Sequence, residues 1–156
     1  KVCEDLMDRG YEIVFIPMQY PGDTHISEEI ADLMDRKPKI IRGRYSPKEI
    51  VGIISGLDLL IGMRLHSLIF AAVVAVPMVG LEYDPKIPSF LDLVEQQNGG
   101  KVENLDIAHL QKTINEVIDT RREYKHNLTK IRNELREKAQ LNIKILEQFI
   151  KKGEEK

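Results

Sequence analysis

LDLLIGMRLHSLIFAAVVAVPMVGLEY, residues 57–83, holds two titratable side chains, Arg64 and His66, between Asp58 and Glu82. The rest of that interval is apolar or small. It divides into three elements. LDLLIG reads as a buried strand, LHSLIFAAVVA as a helix apolar almost all round, and PMVGLEY as a second strand opened by Pro77. Strand, helix and strand in that order form a βαβ unit, whose strands run parallel. Arg64 and His66 therefore stand at a strand-to-helix junction and not in the middle of an apolar element.

The same alternation extends upstream. VCEDLMDRG reads as a helix stopped by Gly10, and YEIVFIPM as an apolar strand with Pro17 near its end. ISEEIADLMDR places Ile26, Ile30, Leu33 and Met34 at the spacing of one helical face, and KIIRG is a short strand. SPKEIVGIISG has Ser46 as N-cap, Pro47 in the first turn and Gly56 at the stop. The strands are apolar runs and do not alternate, which predicts a parallel sheet covered on both faces. Downstream, PSFLDLVEQ is one more short helix, and NGGKV a turn with a terminal strand. Residues 1–104 are thus predicted to form a Rossmann-like α/β domain. A domain of this type opens with a strand before its first helix, and in the common doubly wound order that strand lies mid-sheet. The chain begins at Lys1, already within a helix, so the sequence reads as one lacking that strand.

Residues 105–156 are predicted to be helical. Ile107, Leu110, Ile114, Val117 and Ile118 trace one stripe; Tyr124, Leu128, Ile131, Leu135, Ile143, Leu146 and Ile150 trace another. Residues 121–156 carry 11 Lys and Arg against 6 Glu, so the polar face is basic. A solvated helix laid over the sheet accounts for this. Peripheral contact with anionic lipid is the alternative.

The chain has 156 residues, 42% apolar and 31% charged, enough for a core of its own. A net charge of −2 gives no electrostatic case for nucleic acid. One cysteine, Cys3, and four scattered histidines offer no metal-ligand spacing and fit a cytoplasmic protein. The longest apolar stretch, residues 67–81, contains Pro77 and Gly80 and is shorter than the roughly 18–20 residues of a membrane span.

In an open α/β sheet, ligands bind beyond the carboxyl ends of the strands. Four loops, MQYPGDTH, GRYS, GMRLH and YDPK, fall there. They bring Gln19, Tyr20, Asp23, His25, Arg44, Tyr45, Arg64, His66, Tyr83, Asp84 and Lys86 to one edge. A helix N-terminus has unpaired N–H groups and a positive dipole end, so a cation in its first turn is misplaced by a few tenths of a kcal/mol up to about 1. An anionic ligand reverses that sign, since N–H groups, dipole and Arg64 then act on one negative charge. His66 can exchange a proton near neutral pH. The pair suits an anionic substrate whose reaction needs a general acid. The structural alternative is a hydrogen-bonded His66 with Arg64 paired to Asp84 or Asp58. Asp84 can also cap the helix after it, and Thr24 or Asp23 the helix after MQYPG.

VFIPMQYPGD, GRYSPKEIVGIISGLDLLIGMRLHSLIFAA and VPMVGLEYDPKI closely resemble the polysaccharide pyruvyl transferases, nearest to the CsaB type that modifies the bacterial secondary cell-wall polysaccharide anchoring S-layer proteins. The likeness spans roughly residues 5–90. It implies a two-domain, glycosyltransferase-B architecture of which this chain resembles the C-terminal, donor-binding half. It implies phosphoenolpyruvate as donor, no cofactor and no metal, and a 4,6-ketal of pyruvate on N-acetylmannosamine of a lipid-linked precursor. By motif, Arg64 and His66 would be catalytic, Leu65 would hold the donor through its backbone, and Gln19, Tyr83, Asp84 and Lys86 would line the cleft. The N-terminal domain, with a further donor-binding arginine near the first strand, would be the partner of this half. Relatives often carry glycine where Ala75 stands, at the end of a helix. A nucleotide-sugar enzyme of the same architecture, with Glu82 on the ribose, and a non-catalytic binding module are the competing readings.

Overall fold

The computed structural model describes residues 1–154. Its elements alternate as α1 (Val2–Asp8), β1 (Val14–Phe15), α2 (Gly22–Asp32), β2 (Lys39–Ile40), α3 (Pro47–Ser55), β3 (Leu60–Gly62), α4 (Leu65–Val73), β4 (Met78–Glu82), α5 (Lys86–Leu93) and β5 (Gln97–Lys101). A 3₁₀ turn at Val102–Asn104 leads into α6 (Ile107–Asp119) and α7 (Arg121–Glu154). All strand pairs are parallel, and helices cover the strands. This is the α/β, Rossmann-like fold expected from the sequence, with a long C-terminal helix.

Successive residues of β4 show why both faces are covered. Met78 packs into a cluster with Ile50, Ile54, Leu68, Ala71, Ile87, Leu91 and Leu128, contributed by α3, α4, α5 and α7. Val79 packs into a second cluster with Leu6, Leu110, Ile114 and Val117, from α1 and α6. Adjacent strand residues point to opposite faces, so an apolar run feeds two cores at once. Each fully buried aliphatic side chain contributes about 1.5–3 kcal/mol. Gly80 faces the first cluster, where a Cβ would lie 2.5 Å from Leu91 Cδ1. Glycine is needed there to let α5 approach the strand.

The strands form two sheets, β1–β2 and β3–β4–β5. Ile16 and Met18 pack with the first cluster, and Ile13 and Leu59 with the second, so β1 and β3 flank the same core without being hydrogen-bonded to each other. The division falls between β1 and β3. It leaves Ile61, mid-strand in β3, 37% exposed.

Local signals explain most boundaries. Ser46 and Glu49 form a capping box at the start of α3, with Pro47 at the first helical position. Asp106 accepts from the N–H groups of Ala108 and His109 to begin α6. Ala75, just past α4, adopts φ +55°, the left-handed conformation glycine takes more cheaply.

Three expectations are corrected. β1 pairs over two residues only, because Pro17 cannot donate to a ladder and Pro38 stands directly before β2. α2 starts at Gly22, ahead of the expected Ile26. Of its predicted apolar face only Met34 is buried, beside Ala31, whereas Ile26, Ile30 and Leu33 (86% exposed) face outward. The two-stranded sheet is too narrow to cover that face. No helix among the described residues is long and apolar enough to cross a membrane. The last two residues of the predicted helical tail, 155 and 156, lie outside the described residues.

Candidate functional site

Arg64 is the N-cap of α4, with only Met63 between it and β3, and no side chain caps this helix. Its carbonyl accepts from Ser67 N (2.9 Å) and from Ser67 Oγ (2.6 Å), which anchors the junction. The N–H groups of Leu65 and His66 come next; among the described residues neither donates a hydrogen bond. The junction thus presents a cation, an imidazole and two free amides within three consecutive residues, with the helix dipole behind them.

The guanidinium is held from across the molecule. Arg64 Nη2 donates to Asp23 Oδ1 at 2.8 Å and to Gln19 Oε1 at 3.2 Å. The other Asp23 oxygen accepts from the backbone N–H of Met18 (3.2 Å) and Gln19 (3.0 Å). The Asp23 carboxylate raises the Arg64 pKa above its ordinary value, and Tyr83, approaching from the end of β4, adds to this. Arg64 is 41% exposed and Asp23 21%, so the pair contributes more to orientation than to stability.

A cleft of about 330 Å³ opens between these elements, lined by Met18, Gln19, Tyr45, Pro47, Ile50, Arg64, His66 and Phe70. That is the lower end of the range of small-molecule sites. One wall is apolar, and the polar groups converge from the loops after β1, β2 and β3. His66 and Phe70 stand one turn apart on α4, ring centroids 6.4 Å apart and tilted by 58°.

Of the residues singled out by sequence, Arg64, His66 and Gln19 line one cleft, and Leu65 lies between the first two on the α4 backbone. Tyr83 reaches Arg64 from the neighbouring strand. Asp84 and Lys86 do not line the cleft. Asp84 Oδ1 accepts from Lys86 N at 2.8 Å and so starts α5. They sit after β4, which lies on the far side of β3 from β1. Arg64 pairs with neither Asp84 nor Asp58; Asp58 is engaged by Arg121 at 2.7 Å. Neither Asp23 nor Thr24 caps α2, since Asp23 turns to Arg64 and the Thr24 hydroxyl is buried without a partner. Arg44 stacks over Tyr20 at 5.2 Å, and His25 pairs with Glu29 on the surface of α2. Sequence reasoning missed Phe70, whose signal was its place one helical turn after His66, and the role of Asp23. No group of three His, Cys, Asp or Glu side chains able to hold a metal occurs among the described residues.

Fold and cleft together define a doubly wound α/β protein with a cation-bearing site at the carboxyl ends of its strands. Residues 1–85 match the family model of polysaccharide pyruvyl transferases, more than half of the 156-residue chain, and the chain belongs to that family. No curated protein and no solved structure matches it.

Proposed function

We propose that this chain is the donor-binding half of a pyruvyl transferase of glycosyltransferase-B architecture that takes phosphoenolpyruvate. The observation that carries the reading is that Arg64 and His66 line one 330 Å³ cleft at the N-terminus of α4, where the amides of Leu65 and His66 have no partner among the described residues. Phosphoenolpyruvate carries a carboxylate and a phosphate, and the guanidinium fork and helix N–H groups answer both. Protonation of the enol methylene carbon leaves a cationic centre at the adjacent carbon. Two sugar hydroxyls attack that carbon and each gives up its proton, one restoring the acid and one going to the phosphate, which leaves with its bonding pair, and a cyclic ketal of pyruvate results. His66 is the group in the cleft able to carry a proton. The acceptor in this reading is N-acetylmannosamine of a lipid-linked cell-wall precursor, ketalised at its 4- and 6-hydroxyls in the service of S-layer anchoring, with the work done at the cytoplasmic face of the membrane. Acceptor binding falls to an N-terminal domain.

The competing nucleotide-sugar reading needs a free carboxylate for ribose hydroxyls. Glu82 is engaged by Asn98 (3.4 Å) and Lys101 (3.8 Å), which weighs against it.

Calorimetric titration of the chain with phosphoenolpyruvate tests the proposal. Binding is expected for the chain and at least a tenfold loss for Arg64→Ala. Equal heats from both proteins would remove Arg64 from the site. Protection by a uridine nucleotide with none by phosphoenolpyruvate would transfer the cleft to the nucleotide-sugar reading.

A further inference from the structure

Asp23 puts a negative charge 2.8 Å from the cation of a cleft read as an anion site. On charge alone this is counterproductive, because Asp23 offsets Arg64 and repels any incoming anion. Its hydrogen bonds suggest why it is there. One oxygen is fixed by two backbone amides of the loop after β1, Met18 and Gln19; the other holds Arg64 Nη2. Those three donors follow strands of the two different sheets, and Arg64 lies 41 residues from Asp23, so the carboxylate ties the β1 loop to the β3–α4 junction. Nη2 has two hydrogens, and Asp23 and Gln19 take one each. The remaining donors of the fork, on Nε and Nη1, make no hydrogen bond to Asp23 or Gln19, and Tyr83 stands beside the guanidinium. An Arg side chain freed from such a clamp would spread over many rotamers, and each binding event would have to immobilise it again.

We propose that Asp23 is a positioning residue for Arg64, and that its orienting effect on the guanidinium outweighs the repulsion of its own charge for the donor anion. The inference rests on Arg64 being the donor cation, as argued above. It predicts a sign opposite to simple charge counting. If Asp23 were only a counter-charge, its removal would tighten anion binding. As a positioning residue, its removal loosens it.

The test titrates phosphoenolpyruvate into the chain and into Asp23→Ala, Asp23→Asn, Arg64→Ala and the Asp23→Ala/Arg64→Ala double variant, with circular dichroism and thermal unfolding as fold controls. Asp23→Ala is expected to weaken binding about tenfold although the protein becomes more positive by one charge. Asp23→Asn keeps an acceptor for Arg64 and should recover part of that loss. In the Arg64→Ala background only the repulsion is left, so removing Asp23 should weaken binding no further and should recover a little of it. The two Nη resonances of Arg64 in ¹⁵N spectra, kept distinct in the parent chain by the hold of Asp23 on Nη2, should merge in Asp23→Ala as the guanidinium rotates freely. Unchanged or tighter binding by folded Asp23→Ala overturns the proposal. If that variant does not fold, Asp23→Asn decides, since merged Nη resonances with undiminished affinity overturn it equally. Loss of binding in Arg64→Ala with none in either Asp23 variant defeats this inference alone. No loss in Arg64→Ala defeats the site reading itself.

Discussion

Met78 and Val79 in β4 are sealed from solvent, one on each face of the sheet, whereas Val14 and Phe15 in β1 are only partly buried, although both pairs belong to apolar runs. The same contrast holds for helices. Leu68 and Ala71 of α4 are fully buried, while Ile26 and Ile30 of α2 face solvent. Apolar composition is a licence for burial; the number of paired strands and the helices laid over them decide whether it is used. In the three-stranded sheet α3, α4, α5 and α7 cover one face and α1 and α6 the other. The two-stranded sheet has α2 against it and little else. The cleft sits where the two meet. Its apolar wall and Arg64 come mainly from the well-packed half, and Asp23 and Gln19 from the sparse one.

Matched truncations would break or sharpen this contrast. Met78→Ala should cost about 2–5 kcal/mol, the range for a large side chain removed from a closed core. Phe15→Ala, although it removes more atoms, should cost about 1–2 kcal/mol, because part of that surface is already wet. Urea unfolding of both variants is the measurement, and equal losses would mean that the two sheets form one core of uniform density. Next in size is Gly80→Ala. The new methyl meets Leu91, itself 1% exposed and unable to withdraw, so a loss of about 1–3 kcal/mol is expected by the same assay. The smallest effect is expected at Glu95, an exposed residue at φ +52° just after α5. Glu95→Gly should raise stability by up to about 1 kcal/mol, as relief of left-handed strain exceeds the added chain entropy. A lowered melting temperature would show that the side chain has a role the backbone geometry does not reveal.

The wall of the cleft made by the β3–α4 junction was legible in sequence. Gly62, Met63 and Arg64 mark the change from a strand to a helix, and a helix start carries its own anion-binding chemistry whatever surrounds it. Ser46, Pro47 and Gly56 likewise bounded α3, because capping depends on neighbours within four positions. The outward face of α2 was not legible. Ile26, Ile30 and Leu33 repeat at a helical period, but a period says only that residues share a face, and the narrow sheet gives this face nothing to cover. Asp84 takes the helix-capping role that the sequence also offered. All four loops lie at one edge, but which of them face each other depends on strand order.

The sequence by itself determined the alternation of elements, the caps, the parallel character of the sheet and the presence of Arg64 and His66 at a strand-to-helix junction. These follow from propensity, periodicity and hydrogen-bonding needs that act over a few residues. Only the tertiary structure decided that the sheet divides between β1 and β3, that Phe70 and Tyr45 wall the cleft, and that Arg64 is held by Asp23. An ion pair across 41 residues has no local signature; it exists because packing brings the first turn of α2 within 3 Å of the β3–α4 junction, and packing is a property of the whole chain.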